Sequence, residues 1–465
     1  MRRTLLTLAA GAGLALAGTA LHAQGSSVGT HSACATGRAL ASVAAPCGDA
    51  SAIFYNPAAL HRDGTALGLG LSAIVTGGEF EYDAGGPVID RETAVVPVPH
   101  GFASYRFNDR MTAGIGVWAP YGLGIEWPLE FEGRYVGYDN SLRALYIQPT
   151  LSVALADWFM LGGGVDVVLG SIEINQRVDL ATATIAQHPQ LGPLTGAHFG
   201  IPTGTDFADA RLSGNGTGVT WHIGMLADLT PDFSVGFRYL HQVTTTFDDG
   251  TAEFTPVQTG ITLAPNNPFG APGGTPLDAV VAPAFQDALR NQAVRTEITF
   301  PNQAVIGFAY RGIPGLGLMA DVQFTGWSTF WQFPLDFDEA ALDSDLILDY
   351  NDAWTYRIGG EYDLTPAFVL RGGFIYNTAA TPDETVTPLL PEAERNYITA
   401  GLGWRIMPGL RADFGYQWIN QADRRGRVTG RPDRTFAAED LNVGLYSTMG
   451  HVFGLTVAYQ PGGVR

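Results

Sequence analysis

The sequence predicts an all-β membrane protein, an antiparallel transmembrane β-barrel of about fourteen strands. Three observations lead there. The chain is apolar on average, with 46% hydrophobic residues, yet never continuously so. Segments of about ten residues alternate an apolar side with a small or polar side, the period of a β-strand. The connections between them are short at one end and long at the other, the pattern of an outer-membrane barrel.

The N-terminus sets the compartment. Met1-Arg2-Arg3 is a positive n-region, and residues 5–21 are an apolar run of Ala, Gly and Leu. Leu21-His22-Ala23 reads as a signal-peptidase site, so residues 1–23 are predicted to be a signal peptide cleaved before Gln24. A retained membrane anchor is the alternative; the glycine content and the flank favour cleavage. Gln24 is not cysteine, so a lipoprotein anchor has no support.

Beyond residue 23 there is no run of about 18 apolar residues, so no transmembrane helix is expected. Charged residues make up 15% of the chain, against about 25% in soluble domains. The formal net charge is −19, which argues against nucleic acid, whose affinity comes from basic residues on phosphates. All 26 basic residues are arginine; there is no lysine. Any carboxylate ligand held by a side-chain cation therefore meets a bidentate guanidinium.

Residues 24–63 lack strand alternation and are predicted to form a segment separate from the strands of residues 64–465. Cys34 and Cys47 both lie in it. A disulfide is plausible in an oxidising periplasm, and two free thiols are the alternative. His31 is the only nearby imidazole, so no metal site is expected.

The clearest strands lie in the C-terminal half. Trp354, Tyr356, Ile358 and Tyr362 share one parity, Arg357, Gly359 and Glu361 the other. Phe368, Leu370, Phe374 and Tyr376 alternate with Arg371 and Gly373; two further strands repeat the pattern over 398–406 and 410–418. One side wholly apolar and the other small or charged fits a lipid face and a lumen. A soluble sandwich would need a second covering sheet, and these strands are too long and numerous for that. Short turns are read at 108–110, 157–158, 230–232, 312–315, 365–367 and 407–409. Longer loops are read near 84–93, 128–138, 179–212, 255–292, 336–350, 380–394 and 424–437. Within the two longest, residues 180–185 and 284–289 are short-helix candidates.

Four segments carry a family resemblance. Asp49-Ala50-Ser51 followed by Asn56-Pro57-Ala58 resembles the N-terminal hatch of the FadL family of outer-membrane fatty acid transporters, which includes TodX-like hydrocarbon importers. Ala119-Pro120-Tyr121-Gly122-Leu123, in the third strand, is similar to a segment kinked in that family. Phe300-Pro301 and Gly307-Phe308-Ala309-Tyr310, with Ala320-Asp321-Val322 and Trp327-Ser328, form a third match. Asp352-Ala353-Trp354-Thr355-Tyr356-Arg357-Ile358-Gly359 with Arg371-Gly372-Gly373 form a fourth. Their order and their spread over most of the mature chain make the resemblance specific.

The resemblance implies a fourteen-stranded barrel plugged by a hatch at 24–63, with 179–212 and 255–292 at an external hydrophobic groove. A hydrophobic small molecule, a fatty acid or a hydrocarbon, would bind outside and move to an inner pocket. Hatch movement would open a path, and the ligand would leave sideways at Pro120, Tyr121 and Gly122; Asn56, Pro57 and Ala58 are read as a functional hatch turn with fixed but breakable contacts, a simple Asx-type turn being the alternative. It implies no cofactor and no enzymatic step. The missing lysine departs from the family, where Arg and Lys serve near the ligand head group.

The residues agree with this route. Pro120 cannot donate a ladder hydrogen bond, and Gly114, Gly116, Gly122 and Gly124 permit a sharp bend beside it. By parity Arg357, Arg371, Arg238, Arg405 and Arg411 face the lumen. Arg357 and Arg371 are the head-group candidates; a three-residue turn at 365–367 would set Glu361 opposite Arg371, which favours Arg357 for the ligand. Outer-membrane lipid and lipopolysaccharide would surround a monomer that closes its own edges.

Three rivals are weaker. A barrel hydrolase would need a Ser, His and acid constellation, and no G-x-S-x-G or H-E-x-x-H motif is present. Gly68/Gly70, Gly114/Gly116 and Gly401/Gly403 lack the third glycine of a dinucleotide loop and read as small residues within strands. An adhesin needs neither plug nor wall gap, and a polar porin has no use for a plug.

Overall fold

The computed structural model describes residues 27–83, 85–426 and 444–461. The predicted signal peptide 1–23, hatch residues 24–26 and most of the 424–437 loop lie outside them.

The chain forms one closed antiparallel barrel of fourteen spans. They are β1 (Ala66–Tyr82), β2 (Ala94–Arg106), β3 (Met111–Glu126), β4 (Asp139–Ala156), β5 (Phe159–Asp179) and β6 (Asp206–Thr230). Span β7 runs as Phe233–Leu240 and Val243–Pro256, and β8 as Gln292–Phe300 and Gln303–Ile313. Then come β9 (Leu316–Thr325), β10 (Ala353–Asp363), β11 (Phe368–Asn377), β12 (Arg395–Met407), β13 (Leu410–Gln421) and β14 (Gly444–Tyr459). Pairing of Leu67 with Tyr459 through Tyr82 with Gly444 closes the wall, which leaves no free sheet edge around most of the circumference.

Alternation decides which face meets lipid. Trp354, Tyr356, Ile358 and Tyr362 are exposed on the outer face, as are Val165, Val167 and Leu169. Such a belt suits hydrocarbon, where the ladder pairs the backbone of the spans around most of the wall. The six short turns occur where the sequence places them, at one end of the barrel, together with both ends of the wall.

The long loops correct two expectations. Residues 180–185 do not form a helix: the chain turns at Thr182 and then forms a hairpin, Thr184–His188 against Gly192–Thr195. The β-branched Thr184 and Ile185 fit a pleated strand better than a helix. In the second long loop the helix (α4) is Leu277–Ala288, so it begins well before residue 284. A further hairpin, Gln332–Phe337 with Ser344–Ile347, folds over the outer mouth.

Residues 27–63 fill the lumen. Short helices α1 (Ala33–Gly37), α2 (Ala52–Tyr55) and α3 (Leu60–Asp63) are almost wholly buried, and Cys34 is disulfide-bonded to Cys47. Wall glycines make the room. A Cβ on Gly68 would overlap Asp49, and on Gly114 and Gly116 would press on Ile53. On Gly359 it would overlap Arg38, and on Gly401 it would strike Gly37. These positions are glycine where the hatch lies directly on the wall.

Candidate functional site

The hatch is fastened at Asn56-Pro57-Ala58. Asn56 Oδ1 accepts from the Ala58 amide at 3.1 Å and starts a 3-10 turn at Pro57–Ala59. Its Nδ2 donates to Val43 O at 2.7 Å within the hatch and to Met225 O at 3.0 Å in β6. Ser152 of β4 donates to Ala58 O at 2.8 Å. The turn rests on Gly162 and Gly224, which pair with each other across β5 and β6; any side chain there would overlap Asn56 or Pro57.

At the periplasmic end the fastening is ionic. Glu361 receives Arg38 of the hatch at 3.1 Å and Arg371 at 3.5 Å; its register partner across the turn is Arg371. Arg371 also binds the buried Asp413 at 2.8 Å. Arg411 joins Asp413 and donates to Cys47 O at 2.6 Å. Arg371 therefore lies in a structural ion cluster facing an open vestibule of about 1190 Å³, below the hatch.

On the other side of the hatch is an inner cavity of about 120 Å³. Val28, Leu40, Phe54 and Tyr55 floor it; Ile375, Ile419 and Val452 form part of its wall; Arg238, Arg357 and Arg395 point cations into it. Arg395 is paired with Glu392 at 3.8 Å and Gln421 at 2.8 Å. Arg238, 2% exposed, donates to Gln303 at 3.0 Å and stacks 4.4 Å over the Phe54 ring. Arg357 donates to Gln323 at 2.6 Å. Among the described residues neither Arg238 nor Arg357 forms an ion pair, and Arg238 Nε and Nη2 and Arg357 Nε are buried without a hydrogen-bond partner. Unpaired guanidinium donors inside a membrane barrel are costly. Parity set Arg238 in the lumen; its place in the cavity was not legible, because the hatch decides where the cavity lies.

Towards the outer mouth Tyr350 and Leu390 are shared with an apolar slot of about 70 Å³, lined by Leu142, Ile172, Ile298 and Phe333 among others. Farther out the two long loops pack on each other through Leu180, Ile201, Leu263, Leu277 and Val281, with Phe199 stacked on Phe269 at 4.8 Å.

The third span departs from the wall. Its pairing with β2 ends at Gly101–Val117, and its register with β4 shifts between Trp118 and Tyr121, around Pro120. Alternation fails there: residues 118–122 are all buried. Tyr121 swings inward, stacks on Phe300 at 5.2 Å and donates to Pro301 O at 2.7 Å. The edge vacated by β2 is met by the N-terminal segment, where Val28 donates to Pro120 O at 2.7 Å. A Cβ on Gly122 would have space, its nearest neighbours being Leu142 O at 3.8 Å and Val28 Cγ2 at 4.0 Å.

An acid, imidazole and hydroxyl chain is present among the described residues. His222 Nδ1 lies 2.8 Å from Asp166 and Nε2 lies 3.0 Å from Thr150 Oγ1. All three are buried and none lines the inner cavity, so no substrate carbonyl has a place beside them.

A lipid-facing closed barrel with a plugged lumen and an inner cavity has the architecture of an outer-membrane channel. Comparison identifies its kind. Residues 14–460 match the family model described as outer membrane protein transport protein (OMPP1/FadL/TodX). The chain is 23% identical to a putative outer membrane protein of Neisseria meningitidis over 99% of this chain and 98% of that one. It is 21% identical to a long-chain fatty acid transport protein of Salmonella typhi over 70% of each. The fold is shared with a Pseudomonas aeruginosa FadL homologue (TM-score 0.76, 21% identity, 94% and 99% coverage). It is shared also with the Pseudomonas putida toluene transporter TodX (TM-score 0.62, 17% identity, 95% and 99% coverage).

The chain belongs to the OMPP1/FadL/TodX family of outer-membrane transport proteins. It is a transporter of hydrophobic compounds in the outer membrane and not an enzyme.

Proposed function

We propose that the barrel takes up long-chain fatty acids and releases them sideways. The observation that carries this reading is the pair of Arg238, buried, and Arg357, half-buried, which line the inner cavity with donors to spare and, among the described residues, no carboxylate within ion-pair distance. A ligand carboxylate supplies the missing partner and would bind both as a charge-assisted fork. The alkyl chain would lie against Ile375, Ile419 and Val452, with the slot behind Tyr350 and Leu390 leading outward.

The cavity, at about 120 Å³, is smaller than the roughly 300 Å³ at which pockets hold drug-sized ligands. A long chain therefore requires the floor to move. Ser27, Val28 and Gly29 are part of that floor and also meet the kink at Pro120 and Tyr121. Their displacement would connect the cavity to the wall between β2 and β3, and the ligand would leave there. Asn56, Pro57 and Ala58 would hold the remainder of the hatch while the floor shifts.

Hydrocarbon uptake is the second reading, favoured by the slot, whose lining is almost wholly apolar. Binding of oleate against methyl oleate to the detergent-folded protein separates the two. The first reading expects oleate to bind at least tenfold more tightly. Equal binding would favour hydrocarbons.

A further inference from the structure

Span β2 holds two prolines, Pro97 and Pro99, in unbroken register with β1, opposite Ala73 and Leu71. In an antiparallel strand successive amides point to opposite neighbours. A proline held in a continuous ladder must therefore have its missing donor on the side away from its partner. That side faces β3. Val96 and Val98, between and beside the prolines, remain available to bond β1 across Ile74 and Ser72.

The last paired residues of β2 and β3 are Gly101 and Val117. Had the ladder continued, Pro99 would stand opposite Ala119 and Pro97 opposite Tyr121. Of the hydrogen bonds that would continue the ladder there, the two that β2 would donate therefore cannot form. Proline on one strand alone could mark a simple bulge; here the missing donors of β2 fall opposite the kink around Pro120 in β3. The outer rim beside them is apolar, with Val95 64% and Val117 41% exposed, while Val96 and Val98 are buried on the lumen side with Val28.

We propose that Pro97 and Pro99 are positioning residues that keep the wall between β2 and β3 from closing, so that the gap is built into the barrel and only the Ser27–Gly29 floor must move for a ligand to pass. The inference rests on the sideways-release reading. It adds that the gap persists because β2 has no donors to offer β3 at positions 97 and 99.

The test replaces both residues, Pro97→Val and Pro99→Val, in the full-length protein folded in detergent and in liposomes. Hydrogen exchange of the new amides at 97 and 99 is measured together with binding and passage of oleate. The proposal expects those amides to exchange at least tenfold more slowly than an open edge, passage to fall at least fivefold, and binding to stay unchanged. Unprotected amides would overturn it, since the wall then stays open without the prolines. Protected amides with passage unchanged would uphold the role of the prolines and overturn sideways release. If the double variant lacks the heat-shifted mobility of a folded barrel, either single variant restores one donor and is read the same way.

Discussion

Asn56 Nδ2 donates to the carbonyl of Met225 at 3.0 Å, so one side chain ties the hatch to the barrel wall. The same amide caps the turn at Ala58. Asn56→Ala removes both and leaves the buried carbonyl of Val43 without its donor. Loss of the cap costs about 1 kcal/mol, and the orphaned acceptor about 1–3 kcal/mol. Hydrogen exchange over residues 52–60 should accelerate roughly tenfold or more, while heat-shifted gel mobility shows the barrel intact. Unchanged exchange would mean the anchor lies elsewhere.

Asp63 gives the hatch a pH dependence. Burial, and then the neighbouring Asp49 carboxylate, push its pKa up to about 8. An acid raised by folding contributes most below its unfolded value, near 3.8, and that contribution is lost as pH rises to about 8. Hatch docking should therefore weaken between about pH 4 and about pH 8 and level off above. Hydrogen exchange of hatch amides, corrected for the intrinsic rate at each pH, measures it. Asp63→Asn keeps an acceptor for the Gly48 amide and should flatten the profile.

Arg371 and Arg357 should separate stability from binding. Arg371→Gln leaves Asp413 buried with Arg411 alone and removes one partner of Glu361. Breaking a buried pair costs about 3–5 kcal/mol, so the midpoint of denaturant unfolding should fall while oleate binding is retained. A loss of binding with unchanged stability would place Arg371 at the ligand instead.

Gly122 lies at the kink beside the floor, and a Cβ there would stand 4.0 Å from Val28 Cγ2. Gly122→Phe should fill the gap between the floor and the kink. Oleate passage into liposomes should fall at least fivefold with binding to the folded barrel unchanged. Normal passage would count against release at this point.

Much of this was legible in the sequence, for a physical reason. A lipid face tolerates no exception to period two, so Trp354, Tyr356 and Ile358 announce their strand directly. The six tight turns carry their own Gly and Pro signals. What the sequence hides is set by the hatch. Gly162, Gly224 and Gly359 look like ordinary strand glycines until a backbone is laid on them. Arg238 looks like any lumen arginine until the floor places it beside Phe54. Pro97 and Pro99 do carry a signal, proline repeated with period two inside a valine-rich strand. It becomes informative only beside the register of β1 and the point where β3 leaves. The helix candidate at 180–185 fails because Thr184 and Ala186 pair with Thr195 and Leu194 in a hairpin, a contact that local sequence does not announce.

The central claim is that a ligand carboxylate completes Arg238 and Arg357. The most direct test measures binding of radiolabelled oleate and of toluene to the folded protein and to Arg238→Gln and Arg357→Gln variants. The account predicts saturable oleate binding, weakened at least tenfold by either substitution, and toluene binding indifferent to both. Oleate binding that survives both substitutions unchanged would contradict it.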